Sequence, residues 1–439
     1  MVVSSEQHAL PGPRDRFFIT ASVMLATIMQ VLDSTIANVA LPHMEGSLSA
    51  TQDQITWVLT SYIVAAAIGT PLTGWLAGRF GRKQIFLVSV TGFTVTSVAC
   101  ALSTSLVQMV AARLLQGLFG AALVPLSQAT MLDINPPEKH AQAMSVWGMG
   151  VTVGPILGPA LGGWLTDRYD WRWVFYVNVP IGLIALVGIY AFMRETRPVT
   201  RRLDLFGFGT LSIAIAALQL FLDRGEVQDW FGATEIWIEL LTAIIAFAFF
   251  LAHTLTVETN SFFNRALARD RNFVTGCCFY FVMGAVLYAT RALLPPFLQD
   301  LLGYPVIAAG LATAPSGAGS MLAMLLAGQL AGRLQARVLI GAGFAISAFS
   351  LWQMSGYTFE MSESVVIWTG FVNPFNPLLQ GGSHWDATTA SGIAALNAEV
   401  TRQASMIGYV DAFRLLMLLA LAVLPFLLLM KPERKRQAA

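Results

Sequence analysis

The chain has 439 residues, 56% of them apolar and only 12% charged, with a net charge of +1 and a mean hydropathy of +0.64. Soluble domains carry roughly 25% charged residues, so the composition describes a polytopic membrane protein, excludes a soluble globular one and gives no sign of nucleic-acid binding. Cys100, Cys277 and Cys278 lie inside apolar runs and supply neither a disulfide framework nor a CxxC metal spacing.

A membrane-spanning helix needs about 20 apolar residues. On that rule the runs fall near 17–41, 55–78, 84–103, 106–132, 141–165, 172–193, 203–222, 235–257, 273–294, 306–330, 337–355 and 411–430. The first is too long for a signal peptide and lacks a small-residue cleavage site. The expected fold is therefore all-α, a transmembrane helical bundle of about 12 spans. Lys and Arg collect on the cytoplasmic side of membranes. With the N-terminus in the cytoplasm, 19 of them fall in inside segments and 4 in outside segments. That bias places both termini in the cytoplasm and requires an even number of spans.

In chain order, span 1 ends on Leu32-Asp-Ser-Thr-Ile-Ala-Asn-Val-Ala-Leu-Pro42, which buries a carboxylate, Asp33. Span 2 closes on Gly74-Trp-Leu-Ala-Gly-Arg79, with Gly78 inside it and Gly81, Arg82 and Lys83 just beyond. This stretch recurs as Gly328-Gln-Leu-Ala-Gly-Arg333, again at the cytoplasmic end of an even-numbered span. A parallel duplication of this kind predicts two bundles with a site between them, the plan of a transporter. Span 4 opens on Arg113-Leu-Leu-Gln-Gly-Leu-Phe-Gly120. Span 5 holds Trp147 to Trp164, where Gly150, Gly154, Gly158 and Gly162 are spaced four apart. On a helix that spacing makes one stripe, flanked by Pro155, Pro159 and Gly163. Such a helix is poor in water. In a bilayer it persists, because its backbone has no water to turn to, and the stripe admits a close neighbour. The prolines are expected to bend it and the stripe to face the partner bundle; a generic small-residue packing face is the alternative. Span 6 starts with Asp170-Trp-Arg-Trp-Val-Phe-Tyr-Val-Asn-Val-Pro180, its tryptophans suited to the interface. An acidic outer loop follows span 7, from Asp223 to Glu235, and residues 356–410 read as a mixed, polar outer loop.

These stretches resemble, in order, the signature motifs of the drug:proton antiporters of the major facilitator superfamily. The Asp170–Pro180 stretch and the extra pair of spans in mid-chain look like the fourteen-span branch, the EmrB/QacA type. The resemblance covers nearly the whole chain. It implies two parallel-repeat bundles and proton-coupled export of small, largely apolar drugs across the bacterial inner membrane. It further implies a periplasmic adaptor and an outer-membrane duct as partners, and associates the 147–164 motif with export rather than uptake. The domains then run 1–16 (cytoplasmic tail), 17–193 (six-span bundle), 194–257 (loop and two inserted spans), 258–430 (second bundle) and 431–439 (basic tail).

Three departures stand out. The loop motif has Gly78 where the family carries an acidic residue. Arg291 sits near the outer end of span 9, where the pattern is apolar and where an arginine can snorkel to the interface. The chain also has two spans fewer than the family. Val365 to Val372 looks like the start of a span, then passes directly into Asn373-Pro-Phe-Asn-Pro. Eight residues make a helix of about 12 Å, too short for about 30 Å of hydrocarbon. An inactive or truncated remnant, or a non-exporting sensor or assembly partner, is therefore carried beside the exporter.

A proton-driven exporter needs a titratable group within the membrane whose proton affinity changes with state. Asp33 lies roughly 12 Å and Arg113 roughly 10 Å below the outer ends of their spans at 1.5 Å per residue, so the two can meet. A lone buried carboxylate prefers its proton and a nearby arginine favours the charged form. Alternation between those surroundings is a proton switch; a static ion pair joining spans 1 and 4 is the alternative. Asn38 and Gln116 are expected to orient the pair or to act as interhelical glue. Arg79, Arg82 and Lys83 read as orientation determinants or gate residues, Asp133 and Asp167 as solvated, His253 as a helix contact, and Asp411 with Arg414 as a local pair. No GxxxxGK[ST], HExxH or GxSxG stretch occurs. The expectation is no enzyme and no cofactor, with the proton gradient as the energy source.

Overall fold

In water most of the apolar surface of these runs would have to be buried; in a bilayer only backbone polar groups must be satisfied, and helices do that within one segment. The computed structural model describes residues 11–196, 202–257, 262–263, 265–331, 333–357 and 390–430, with backbone alone at 306–311, 313–314 and 390–400. The regular elements among the described residues are all helices. Among the described residues, eleven helical segments are long and apolar enough to cross a membrane. The helix Val306–Leu330 coincides with the remaining expected span.

The chain divides into two compact units, Met1–Arg265 and Ala266–Ala439. The first holds α1 (Pro13–Leu48), α2 (Gln52–Ile55), α3 (Trp57–Phe80), α4 (Arg82–Ala101), α5 (Leu106–Gly120), α6 (Leu123–Asp133), α7 (His140–Arg168), α8 (Trp173–Tyr176), α9 (Asn178–Phe192), α10 (Leu205–Arg224) and α11 (Thr234–Thr256). A short helix, α12 (Arg265–Arg269), lies at the boundary. The inserted pair α10 and α11 forms a hairpin, and α10 packs on α3, where Thr60 hydrogen-bonds Asp223. These two helices thus belong to the first unit.

α1 is the hub of that unit, lying against α7 on one side and α9 on another. At 36 residues it is about 54 Å long, well beyond the apolar run that predicted it. Span 4 breaks into α5 and α6 at Ala121 and Ala122. Pro125 has no N–H for the Ala121 carbonyl and so cannot carry the helical ladder through. α7, by contrast, runs unbroken through Pro155 and Pro159. The turn between α3 and α4 is closed by Gly81 at φ +92°, a left-handed conformation that a side chain would strain.

The second unit holds α13 (Arg271–Pro296), which widens into a π turn at Phe297–Leu301, α14 (Val306–Leu330), α15 (Ala336–Met354) and α16 (Ala390–Ala422). Its core holds an aromatic group among Leu and Met side chains: Phe297 stacks on Tyr357 at 5.5 Å between ring centres, with Phe413 edge-on at 6.2 Å, within the range of favourable ring pairs. The expected outer loop 356–410 is corrected here, because residues 390–410 are the first part of α16. That stretch holds five Ala together with Leu396, Glu399, Arg402, Gln403 and Met406, all good helix formers. Its polarity argued against a span, not against a helix. The shortened run at Val365–Val372 lies outside the described residues.

Candidate functional site

The first unit concentrates its buried polarity at one point. Asp33 on α1, Arg113 and Gln116 one turn apart on α5, and Asn178 at the start of α9 all have zero exposure. Arg113 Nη1 donates to Asp33 Oδ2 at 2.7 Å and to Gln116 Oε1 at 2.8 Å, while Nε donates to the Val58 carbonyl at 3.1 Å. Gln116 Nε2 and Asn178 Nδ2 both donate to Asp33 Oδ1, at 3.0 and 2.6 Å. Tyr62 covers the guanidinium at 4.3 Å and Phe175 flanks it at 5.7 Å. Asn178 Nδ2 also donates to Ser97 Oγ on α4 at 2.9 Å, and Cys100 Sγ contacts Gln116 Oε1 at 3.4 Å.

Removing two charges from water is expensive, and attraction between them offsets that cost only with good geometry and further hydrogen bonds. Here the carboxylate accepts three N–H bonds and the guanidinium is bonded at two of its nitrogens. Among the described residues, the hydrogen-bond partners of Asp33 are all donors. That pattern suits a carboxylate and gives the O–H of a carboxylic acid no acceptor.

Asp33 and Arg113, whose depths predicted that they could meet, are in contact, and Gln116 joins them. Asn38 does not: it is exposed on α1. Its place beside Asp33 is taken by Asn178. The signal for Asn178 was a polar residue at the head of the apolar run 179–192, costly within a membrane unless it has a task.

The glycine stripe is also corrected. Gly150, Gly154, Gly158 and Gly162 of α7 face α1 of the same unit, not the partner bundle. A methyl added at Gly154 would lie 2.8 Å from Val31 Cγ1 and 2.9 Å from the backbone nitrogen of Leu32. One at Gly162 would lie 2.8 Å from Ile36 Cγ1, whereas one at Gly163 would lie 4.0 Å from its nearest neighbour, on Val39. Thr35 Oγ1 donates across the seam to the Gly154 carbonyl at 3.2 Å. Pro159 lies exposed on the other side.

In the loop motif, Gly74 and Gly78 have open space beside them and Arg79 is exposed. Arg82 pairs with Asp133 at the end of α6, so Asp133 is not simply solvated. The Arg82 amide donates to Thr196 Oγ1 at 2.9 Å, and Lys83 Nζ donates to the Tyr190 carbonyl at 2.8 Å. His253 is satisfied by Asp204, at 2.9 Å. Asp204 caps α10, and partial burial would raise its proton affinity. The amides of Gly207 and Phe262 and the His253 ring outweigh that effect and hold its carboxyl below the ordinary value. Asp411 and Arg414 pair at 3.1 Å, as their spacing predicts.

Residues 23–422 match the family described as Major Facilitator Superfamily. The chain is 40% identical over 361 residues to the multidrug export protein EmrB of Escherichia coli, covering 81% of this chain and 70% of that one. It is 38% identical over 356 residues to the fatty acid resistance protein FarB of Neisseria gonorrhoeae, covering 81% and 70%. Among solved structures, it resembles the proton:xylose symporter XylE at a TM-score of 0.55 and 16% identity, over 95% of this chain and 86% of that one. A peptide transporter, POT, matches at 0.55 and 16%, over 95% and 96%.

Proposed function

The chain belongs to the major facilitator superfamily as a multi-pass membrane protein of the EmrB-like kind, and from that premise we propose that it exports small, largely apolar drugs or toxic compounds in exchange for protons. The observation that carries the reading is the wholly buried Asp33–Arg113 pair in the middle of a membrane helix bundle. A charge kept in such a place is costly and is held there for use. The relative EmrB is named for multidrug export and the relative FarB for fatty acid resistance. They support a small-molecule cargo of drug or fatty-acid character.

In this reading Asp33 takes a proton from the outer side and gives it up to the inner side as the two bundles alternate. Protonation removes the negative partner of Arg113, which frees α1 and α5 from each other; deprotonation draws them together again. One charge moved through 100 mV supplies about 2.3 kcal/mol, comparable to a gating step. Gln116 steadies the pair. The glycine seam keeps α1 fixed to α7 while this happens, and the Arg82–Asp133 pair ties the ends of α4 and α6. The proton gradient is the energy source and no cofactor takes part. The basic-residue bias supports both termini in the cytoplasm, and the motif resemblance implies an inner-membrane setting with a periplasmic adaptor and an outer-membrane duct as partners.

The test is efflux of a fluorescent apolar dye from energised cells, with and without a protonophore. The expected result is efflux that collapses with the gradient and is absent in Asp33→Asn. Efflux unchanged by either would refute the coupling. No efflux from a well-expressed, membrane-inserted chain would favour the remnant or the non-exporting partner instead.

A further inference from the structure

The donors around Asp33 raise a question that the ion pair alone does not answer. If the carboxylate is to take a proton, its new O–H needs an acceptor, and an unmade hydrogen bond at a buried site costs about 1–3 kcal/mol. Arg113, Gln116 Nε2 and Asn178 Nδ2 all donate. The nearby acceptors Val58 O and Gln116 Oε1 are already occupied by Arg113. One acceptor in the cluster is unused: Asn178 Oδ1, buried and without a hydrogen-bond partner.

We infer that Asn178 is a positioning residue for the proton on Asp33, its amide serving the carboxylate through Nδ2 and the carboxylic acid through Oδ1. The assignment rests on the proton-coupling reading of Asp33. In the present arrangement Nδ2 bridges Asp33 Oδ1 and Ser97 Oγ, at 2.6 and 2.9 Å. When a proton from the outer aqueous phase bonds to a carboxylate oxygen, the amide rotates about its Cβ–Cγ bond. Oδ1 then occupies the place of Nδ2 and accepts the new O–H. No covalent bond other than that O–H is made or broken; the Nδ2 hydrogen bonds to Asp33 and Ser97 are given up, and loss of the proton reverses the turn. Ser97 tolerates both settings, because a hydroxyl both donates and accepts; it now donates to the Phe175 carbonyl at 2.9 Å. The rotated amide leaves Nδ2 without its present acceptors, which keeps the amide in the first setting until the proton arrives. Among the described residues the other groups of the cluster that carry or exchange a proton are Arg113 from α5, Tyr62 from α3 and Cys100 from α4. Tyr62 already accepts from Gln30 Nε2 at 2.9 Å, and Cys100 Sγ contacts Gln116 Oε1 at 3.4 Å.

The test is infrared difference spectroscopy of the full chain in lipid, titrated with acid, reading the carbonyl band of protonated Asp33. Asp33→Asn identifies the band by removing it. The expected result for Asn178→Leu is a band shifted to higher frequency, since the acid group has lost its acceptor. A band at the wild-type position in folded Asn178→Leu would overturn the assignment, and would show Asn178 to be a structural contact. If that variant does not fold, Asn178→Asp decides. Two carboxyls at hydrogen-bond distance share one proton, so its acid band should persist at pH values where the wild-type band has gone; a wild-type titration would overturn the contact itself. Neither reading uses transport. If the band behaves as expected while efflux proves independent of the gradient, the export proposal fails and the Asn178 assignment stands.

Discussion

Gly154 and Gly163 belong to one helix and one motif, yet alanine should act on them in opposite directions. Replacing an interior helix glycine by alanine favours the helix by about 0.5–1 kcal/mol, and that gain is common to both sites. At Gly163 the added methyl lies 4.0 Å from Val39 Cγ1, an ordinary contact. At Gly154 it meets Val31 Cγ1 at 2.8 Å, the Leu32 nitrogen at 2.9 Å and the Val31 carbonyl carbon at 3.0 Å. Two of those three atoms are backbone, so α1 as a whole must move. Overpacking of this kind costs about 1–3 kcal/mol. Subtracting one variant from the other cancels the propensity gain and leaves about 1–3 kcal/mol, with a tenfold change in equilibrium for each 1.4 kcal/mol. The assay is thermal unfolding of the two purified variants and the wild type in one detergent. Gly163→Ala should unfold at or above the wild-type temperature and Gly154→Ala clearly below it. Adding Val31→Ala should rescue Gly154→Ala only in part, because the backbone contacts remain. Equal unfolding temperatures for the two single variants would refute the close approach of α7 to α1.

Asp33→Asn leaves Arg113 buried without its counter-charge, a change that costs about 3–5 kcal/mol; a marked drop in unfolding temperature checks it. Arg113→Lys keeps the charge but cannot reach Asp33, Gln116 and the Val58 carbonyl together, so a loss of about 1–3 kcal/mol is expected from the unmade bonds, with efflux impaired even though the site remains an ion pair. Asp204 is held below its ordinary value in the folded chain. Its contribution to stability is therefore present above the unfolded value of about 3.9 and is lost as pH falls through the lower folded value. Asp204→Asn should flatten that acid limb of an unfolding-temperature profile. Arg82→Ala breaks a pair whose side chains are 31% and 52% exposed; with solvent screening the loss should be about 0–1 kcal/mol, below what the same assay gives for Arg113.

Hydropathy made the spans legible because lipid solubility is what it measures. The same property hid residues 390–410, which are helical without being apolar, and the ends of α1, whose polar turns extend the helix past any bilayer. Asp33 and Arg113 could be matched from depth alone, since a fixed rise per residue turns sequence position into height. Height does not supply azimuth. Asn38 shares α1 with Asp33 but projects to an exposed side, and Asn178 is distant in sequence yet completes the site from α9. The glycine stripe shows the same limit. Its period of four defines a face of α7 securely, and nothing in that period says which neighbour the face meets.

That neighbour joins the two motifs physically. The atoms nearest Gly154 are those of Val31 and the nitrogen of Leu32, and the next residue along is Asp33. The stripe therefore holds α1 from one side at the height where Arg113, Gln116 and Asn178 hold it from another. Those hydrogen bonds are 2.6 to 3.0 Å long, while N–H···O bonds weaken beyond about 3.2 Å. A displacement of α1 by only a few tenths of an ångström, enough to relieve a methyl at Gly154, must lengthen some of them. Gly154→Ala should then alter the infrared band of protonated Asp33 as well as stability, and Gly163→Ala should alter neither adversely. A Gly154→Ala protein with lowered stability but an unchanged Asp33 band would show that α1 yields at the seam without moving the carboxylate, and the glycine motif would be packing alone.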